Sequence, residues 1–206
     1  MIVITCIAAV IDDGAVYIGG DSFCGMSGYP TAEQQAVPKV YRLEEFVIGG
    51  AGGIRQLQLA QYSFMPPCPR SYEPEYLLRY MCVEFVDVLK QTLHANDATT
   101  IADACEYGYF DLIVGIRNRL FVVGGDFSVV APLQPYTAVG CGRDVAIGAL
   151  AAMPGVPPVA RITRALELAA QSCPFVMGPY TVISNRLGAD ALEAEKEHAC
   201  VSKTGA

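Results

Sequence analysis

Two kinds of apolar pattern divide this chain. Near its start, two short apolar runs flank Asp12-Asp13-Gly14, a pattern that predicts a β-hairpin. A second hairpin is predicted from residues 39–43 and 46–50 about a turn at Glu44-Glu45. Gly50-Ala51-Gly52-Gly53 then breaks the sheet and opens a helix over 54–62. Residues 63–74 hold four prolines and read as a loop. Residues 75–94 carry the clearest helical period: Leu78, Met81, Cys82, Phe85, Val88, Leu89 and Thr92 form one stripe. Residues 109–117 and 120–125 predict a third hairpin about Asn118-Arg119, and 128–130 and 137–139 two short strands. Residues 143–153 are small and apolar throughout, which predicts a helix packed on both sides. A further helix is expected over 159–171 and a last strand over 180–184. Residues 23–38 read as a loop, and 96–108 show no clear period. The order of elements is two hairpins, two helices, a hairpin, two helices and a strand. An α+β fold of two facing antiparallel sheets with helices outside satisfies it.

Composition narrows the class. With 206 residues, 52% hydrophobic and 17% charged, and no long Ser/Gly/Pro linker, the chain reads as one domain over 1–185 followed by a polar tail, 186–206. A net charge of -7 and a pI near 4.8 argue against nucleic acid or an anionic membrane as partner. No apolar run reaches transmembrane length, and the apolar start lacks the basic region of a signal peptide. The eight cysteines (6, 24, 68, 82, 105, 141, 173 and 200) form no CxxC pair, and only His94 and His198 could assist them. Metal binding is therefore disfavoured and no cofactor is called for. The thiols, Cys82 and Cys173 among them, read as buried and free, in a reducing cytoplasm.

The candidate chemistry sits on the first hairpin. Folding it back brings Thr5, at one end, beside Asp21 at the other, and Lys39 opens the next strand. A hydroxyl, a carboxylate and an ammonium on adjacent strands can make an activated nucleophile. The chain has only four lysines, so Lys39 is not one of many. Cys6 is a rival nucleophile, but side-chain alternation turns it to the face opposite Thr5.

These residues resemble a family. Thr5, Ile7, Gly14 and Gly20-Asp21 follow the order seen at the start of the N-terminal-nucleophile hydrolases, specifically proteasome β-subunits and the bacterial HslV protease. Lys39-Val40-Tyr41-Arg42-Leu43 resembles the family's catalytic lysine segment, and Ile48-Gly49-Gly50-Ala51-Gly52 its oxyanion and substrate-pocket segment. Gly140-Cys141-Gly142 resembles its Gly-Ser-Gly, and residues 164–169 its penultimate helix. The resemblance implies a four-layer αββα sandwich, stacked homo-oligomeric rings, threonine-type hydrolysis of peptides or unfolded proteins, and often a partner ATPase. It assigns Thr5 as nucleophile, with its own α-amine as base. Lys39 would keep that amine neutral and favour the alkoxide, and Asp21 would fix Lys39. The Gly50 N–H would be the oxyanion donor, and Cys141 would take the place of the serine that supports the amine. Cys24, Ile48 and Gly49 would border an uncharged pocket suited to small or apolar side chains.

The sequence also departs from that pattern. Residues 1–4 precede Thr5, so a free amine requires either cleavage of the Ile4–Thr5 bond, which autolysis by the Thr5 hydroxyl could achieve, or a translation start nearer Thr5. No Asp or Glu lies between Glu167 and Asp190, where the family carries a supporting acid, and a thiol replaces the serine hydroxyl. A catalytically inactive assembly or scaffold subunit is the alternative, and an amidase acting on small amides a third reading.

Overall fold

The computed structural model describes residues 4–25, 33–34, 36–102 and 105–186. Strands β1 (Cys6–Asp12) and β2 (Ala15–Gly20) make the first hairpin. Asp13 and Gly14 turn it at φ of 46° and 72°. Two consecutive left-handed residues give the turn the twist of the strands it joins. Strands β3 (Phe23–Cys24) and β4 (Glu33–Gln34) pair as a short ribbon. Strands β5 (Val40–Leu43) and β6 (Phe46–Gly52) form the second hairpin. Helix α1 (Ile54–Tyr62) follows, then α2 (Pro74–Tyr80), a π-helical turn at Met81–Phe85, and α3 (Val86–His94). A second ribbon pairs β7 (Thr100–Ala102) with β8 (Cys105–Tyr107). Strands β9 (Phe110–Ile116), β10 (Arg119–Val123), β11 (Val129–Val130) and β12 (Tyr136–Gly140) lead to α4 (Arg143–Ala152), α5 (Pro158–Ser172) and β13 (Thr181–Ser184).

The strands form two large antiparallel sheets, ordered β12-β1-β2-β13 and β11-β10-β9-β6-β5. Three apolar clusters hold four layers together. Helices α1–α3 pack on the five-stranded sheet through Phe46, Ile48, Leu77, Phe85 and Leu89. Helices α4 and α5 pack on the four-stranded sheet through Cys6, Ala8, Val10, Ile162 and Leu166. Between the sheets lie Ile7, Ile18, Val47 and Ile113. This is the four-layer αββα sandwich that the resemblance implies, with the two facing antiparallel sheets expected from the element order. Because β1 is covered on both faces, its sequence is a continuous apolar run rather than an alternation. Glycine sets the sheet separation at one point: a Cβ on Gly49 would stand 2.6 Å from Ile7 Cγ2 and 2.8 Å from Ile18 Cγ2.

Several elements differ from the sequence pattern for identifiable reasons. Strand β6 continues through Gly52 instead of breaking at Gly50, because β9 supplies pairing partners as far as Phe110. The third hairpin turns at Arg117-Asn118, one residue early, with Arg117 at φ 51° and Arg119 already paired to Ile116. The buried stripe of α2–α3 is Leu77, Met81, Phe85, Leu89 and Leu93, while Leu78 is 40% exposed and Cys82 is exposed. Steps of four residues overshoot a turn by about 40° each, so a straight helix would carry this stripe off the sheet. The π-turn holds one extra residue and brings the stripe back. Helix α4 buries Ala146, Ala149 and Leu150 but leaves Val145 and Gly148 on an open face, so in the single chain it is covered on one side. Cys68, Cys82 and Cys105 are exposed rather than buried thiols, and Cys173 is half-buried. The tail from residue 187 onward lies outside the described residues.

Candidate active site

The site forms where the N-terminal ends of β1 and β5 meet the C-terminal end of β2. Asp21 follows β2 and its carboxylate is fully buried. Four donors satisfy it. Oδ1 accepts from the Cys6 N–H at 3.0 Å and from Lys39 Nζ at 3.0 Å. Oδ2 accepts from the Phe23 N–H at 2.9 Å and the Met177 N–H at 3.4 Å. Lys39 immediately precedes β5 and its side chain is 5% exposed. Its Nζ donates to Asp21 and also to Thr5 Oγ1. Burial lowers the Lys39 pKa from the ordinary lysine value, opposed by the charge and hydrogen bond of Asp21. Lysine is thus held against the hydroxyl with its proton easier to lose than in water.

Thr5 is 3% exposed and sits at φ 113°. A β-branched residue with positive φ is strained and must be held by its surroundings. Its carbonyl oxygen accepts from the Gly142 N–H at 3.4 Å and from the Cys141 thiol at 3.3 Å. Gly140, at φ 90°, passes so close that a Cβ there would lie 2.2 Å from that oxygen. Only glycine fits such an approach. Beside Thr5 runs a narrow cleft bordered by Ile4, Phe23, Cys24, Tyr41, Gly50, Gly52, Ile54 and Leu57, with room at its centre for about 30 Å³. A larger cavity, of about 620 Å³, lies among the hairpin turns that include Asp13-Gly14, Glu44-Glu45 and Arg117-Asn118, and Thr5 does not border it. Chemistry rather than volume therefore marks the site.

No protein-family model and no curated protein matches the sequence. Solved structures do match the fold. The chain is similar to Thiobacillus denitrificans BPH in complex with epoxomicin, with TM-score 0.72, 20% identity, and coverage of 89% of this chain and 99% of that one. A second structure of Thiobacillus denitrificans BPH gives TM-score 0.71 at the same identity and coverage. Eukaryotic HslV from Trypanosoma brucei gives TM-score 0.59 and 20% identity over 87% of this chain and 98% of that one. The chain has the HslV-like fold.

Within this HslV-like fold, the residues singled out in the sequence fall into two groups. Thr5, Asp21, Lys39 and Cys141 come together at one point, and Cys24 borders the adjoining cleft. Cys6 turns away from Thr5 into the layer beneath α4 and α5. Ile48 is buried under α1–α3 and Gly49 faces the other sheet, so neither borders the cleft. Gly50 does border it, but its N–H donates to the Lys39 carbonyl at 3.1 Å. Alternation along β6 turns the Gly52 N–H toward the same edge, one step past the end of β5. Gly52 holds φ 131°, and a Cβ there would meet the Tyr109 carbonyl oxygen at 2.2 Å. The positions of Gly52, Gly140, Tyr41, Cys173 and Met177 at the site depend on pairing between distant segments, and apart from the glycines nothing in the local sequence marks them.

Proposed function

We propose that the protein is a threonine-type peptide hydrolase whose nucleophile, Thr5, is released by cleavage of the Ile4–Thr5 bond. The observation that carries this reading is Lys39 Nζ bridging Asp21 and Thr5 Oγ1. In the uncut chain Thr5 has no free amine, and Lys39 is the basic group in contact with its hydroxyl. As Thr5 Oγ1 adds to the Ile4 carbonyl carbon, neutral Lys39 takes the hydroxyl proton and returns it to the departing Thr5 nitrogen. The C–N bond breaks, residues 1–4 remain as an ester on Oγ1, and water hydrolyses that ester. The freed α-amine, with an ordinary pKa of about 8, is then the base for substrate turnover. The acyl-enzyme forms on Oγ1 and is hydrolysed by water. Gly52 rather than Gly50 supplies the oxyanion N–H, since the Gly50 N–H is engaged. The narrow cleft, where Lys39 is paired with Asp21 and Ile4, Phe23, Ile54 and Leu57 present apolar walls, favours small or apolar side chains before the scissile bond.

We place this activity in a homo-oligomeric, stacked ring in the cytoplasm, acting on peptides or unfolded proteins, with an ATPase as possible feeder. Among the described residues no helix is long and apolar enough to cross a membrane. The second reading is an inactive assembly subunit. It is favoured by the thiols Cys141 and Cys173 beside Thr5, which are weaker hydrogen-bonding groups than a hydroxyl and a carboxylate.

Intact mass of the wild-type chain beside Thr5→Ala separates the two. The hydrolase reading expects a wild-type mass lacking residues 1–4, an uncut variant, and an epoxomicin adduct on the cut chain alone. Residues 1–4 retained in both chains, with no adduct, would overturn it in favour of the assembly subunit.

A further inference from the structure

One cluster at the site takes no step in the cleavage proposed above. Cys141 lies in the turn between β12 and α4, and Cys173 caps the C-terminus of α5. Their sulfurs are 3.1 Å apart, and both residues are half-buried. A disulfide needs about 2.04 Å, so about 1 Å of closure, within reach of side-chain rotation in two element-terminal residues, completes the bond. The Cys141 thiol is also one of the two donors to the Thr5 carbonyl oxygen. The third thiol of the cluster, Cys6, is wholly buried in β1.

We propose that Cys141 and Cys173 are an oxidisable dithiol that a peroxide closes to a disulfide, withdrawing the Cys141 S–H from the Thr5 carbonyl and slowing the Thr5 chemistry. One thiolate attacks a peroxide oxygen and breaks the O–O bond, giving a sulfenic acid and hydroxide. The other thiol attacks that sulfur and expels the oxygen as water. In sum, two thiols and hydrogen peroxide become one disulfide and two waters; the sulfurs are oxidised and the peroxide is reduced. Burial, then the hydrogen bond with Cys173, pushes the Cys141 pKa up to about 11, so attack by the Cys141 thiolate is slow at neutral pH and quickens in mild alkali. Burial first, and then the Asp21 charge, raises the Cys6 pKa further, which keeps Cys6 a protonated bystander. After closure the Thr5 carbonyl keeps the Gly142 N–H alone. Loss of one such bond corresponds to a rate about fivefold lower.

The effect on rate rests on the hydrolase reading; closure of the pair does not. The experiment treats wild type, Thr5→Ala and Cys173→Ser with hydrogen peroxide, maps disulfides on non-reduced digests, and times Ile4–Thr5 cleavage. Expected are a Cys141–Cys173 cross-link in wild type and in Thr5→Ala, with a mass loss of two hydrogens reversed by dithiothreitol. Cleavage should slow about fivefold in oxidised wild type and not in Cys173→Ser. Free, alkylatable Cys141 and Cys173 after treatment, or a cross-link through Cys6, would overturn the proposal. So would a cross-link that leaves the cleavage rate unchanged. A chain that never cuts Ile4–Thr5 yet forms the cross-link overturns the hydrolase reading and, with it, the effect on rate, while the oxidisable pair stands.

Discussion

Among single residues, Lys39 connects the fold to the chemistry. It is the cation of a pair whose carboxylate is fully buried. Removing one partner of such a pair strands the other charge, which costs about 3–5 kcal/mol. Three backbone N–H groups still hold Asp21, so Lys39→Met should lose stability at the low end, about 3 kcal/mol, read from urea unfolding. A loss below about 1 kcal/mol would show that the pair is solvated. Lys39 also sets a pH dependence. In the proposed cleavage neutral lysine accepts the Thr5 proton, and its fraction grows as pH rises toward a pKa that burial has lowered from 10.5. Cleavage of Ile4–Thr5 should therefore accelerate with pH and level off below 10.5. In Lys39→Arg the rise should vanish, because guanidinium stays protonated to about pH 12. A flat profile for wild type would remove Lys39 as the base. Thr5, Asp21 and Lys39 were legible in the sequence because a hairpin and the strand beside it fix which residues meet. The choice of Gly52 over Gly50 and the place of Cys173 were not, because they depend on where β5 ends against β6 and on how α5 packs over β1 and β2.

At the level of elements, periodicity located the helices and the strands of the two large sheets, missed the short ribbons β3–β4 and β7–β8, and misplaced some faces and ends. The helical stripe read from residues 75–94 assumed an unbroken 3.6-residue period, whereas the π-turn shifts it. Ends moved wherever a neighbouring strand extended the pairing, as in β6, which no local pattern announces. The π-turn account makes a specific prediction. Val83, 45% exposed, lies in the turn. Deleting it removes the extra residue, leaves a continuous α-helix, and keeps Leu77, Met81, Phe85, Leu89 and Leu93 on the sheet. Deleting Asp87, in the regular helix that follows, instead rotates Leu89 and Leu93 by about 100° toward solvent. The Val83 deletion should melt within about 5 °C of wild type, and the Asp87 deletion should lose several kcal/mol of packing. Equal losses from the two would show that the extra residue is needed for the helix as it stands.

At the scale of the whole molecule, the open surface bears on assembly. A groove of about 390 Å³ is bordered by Ile11, Leu78, Leu120 and Leu133, among others, and Leu133 is 96% exposed. Val145, on the open face of α4, adds apolar surface on the outside of another layer. Exposed apolar surface of this kind marks contact sites in soluble proteins. Each chain carries a net charge of -7, so copies repel at long range and only short-range burial can hold a ring together. Salt shortens the screening distance from about 10 Å at 0.1 M to about 3 Å at 1 M and leaves apolar burial intact. The proposed ring should therefore tighten as salt rises, the reverse of an assembly held by ion pairs. Leu133→Asp places a charge on the apolar rim and should loosen the ring by at least tenfold in concentration, without changing the melting of the isolated chain. Sedimentation velocity across a salt series reads both effects. A wild-type chain that stays monomeric at every concentration and salt would exclude the proposed ring and leave the hydrolase reading to rest on Ile4–Thr5 cleavage alone.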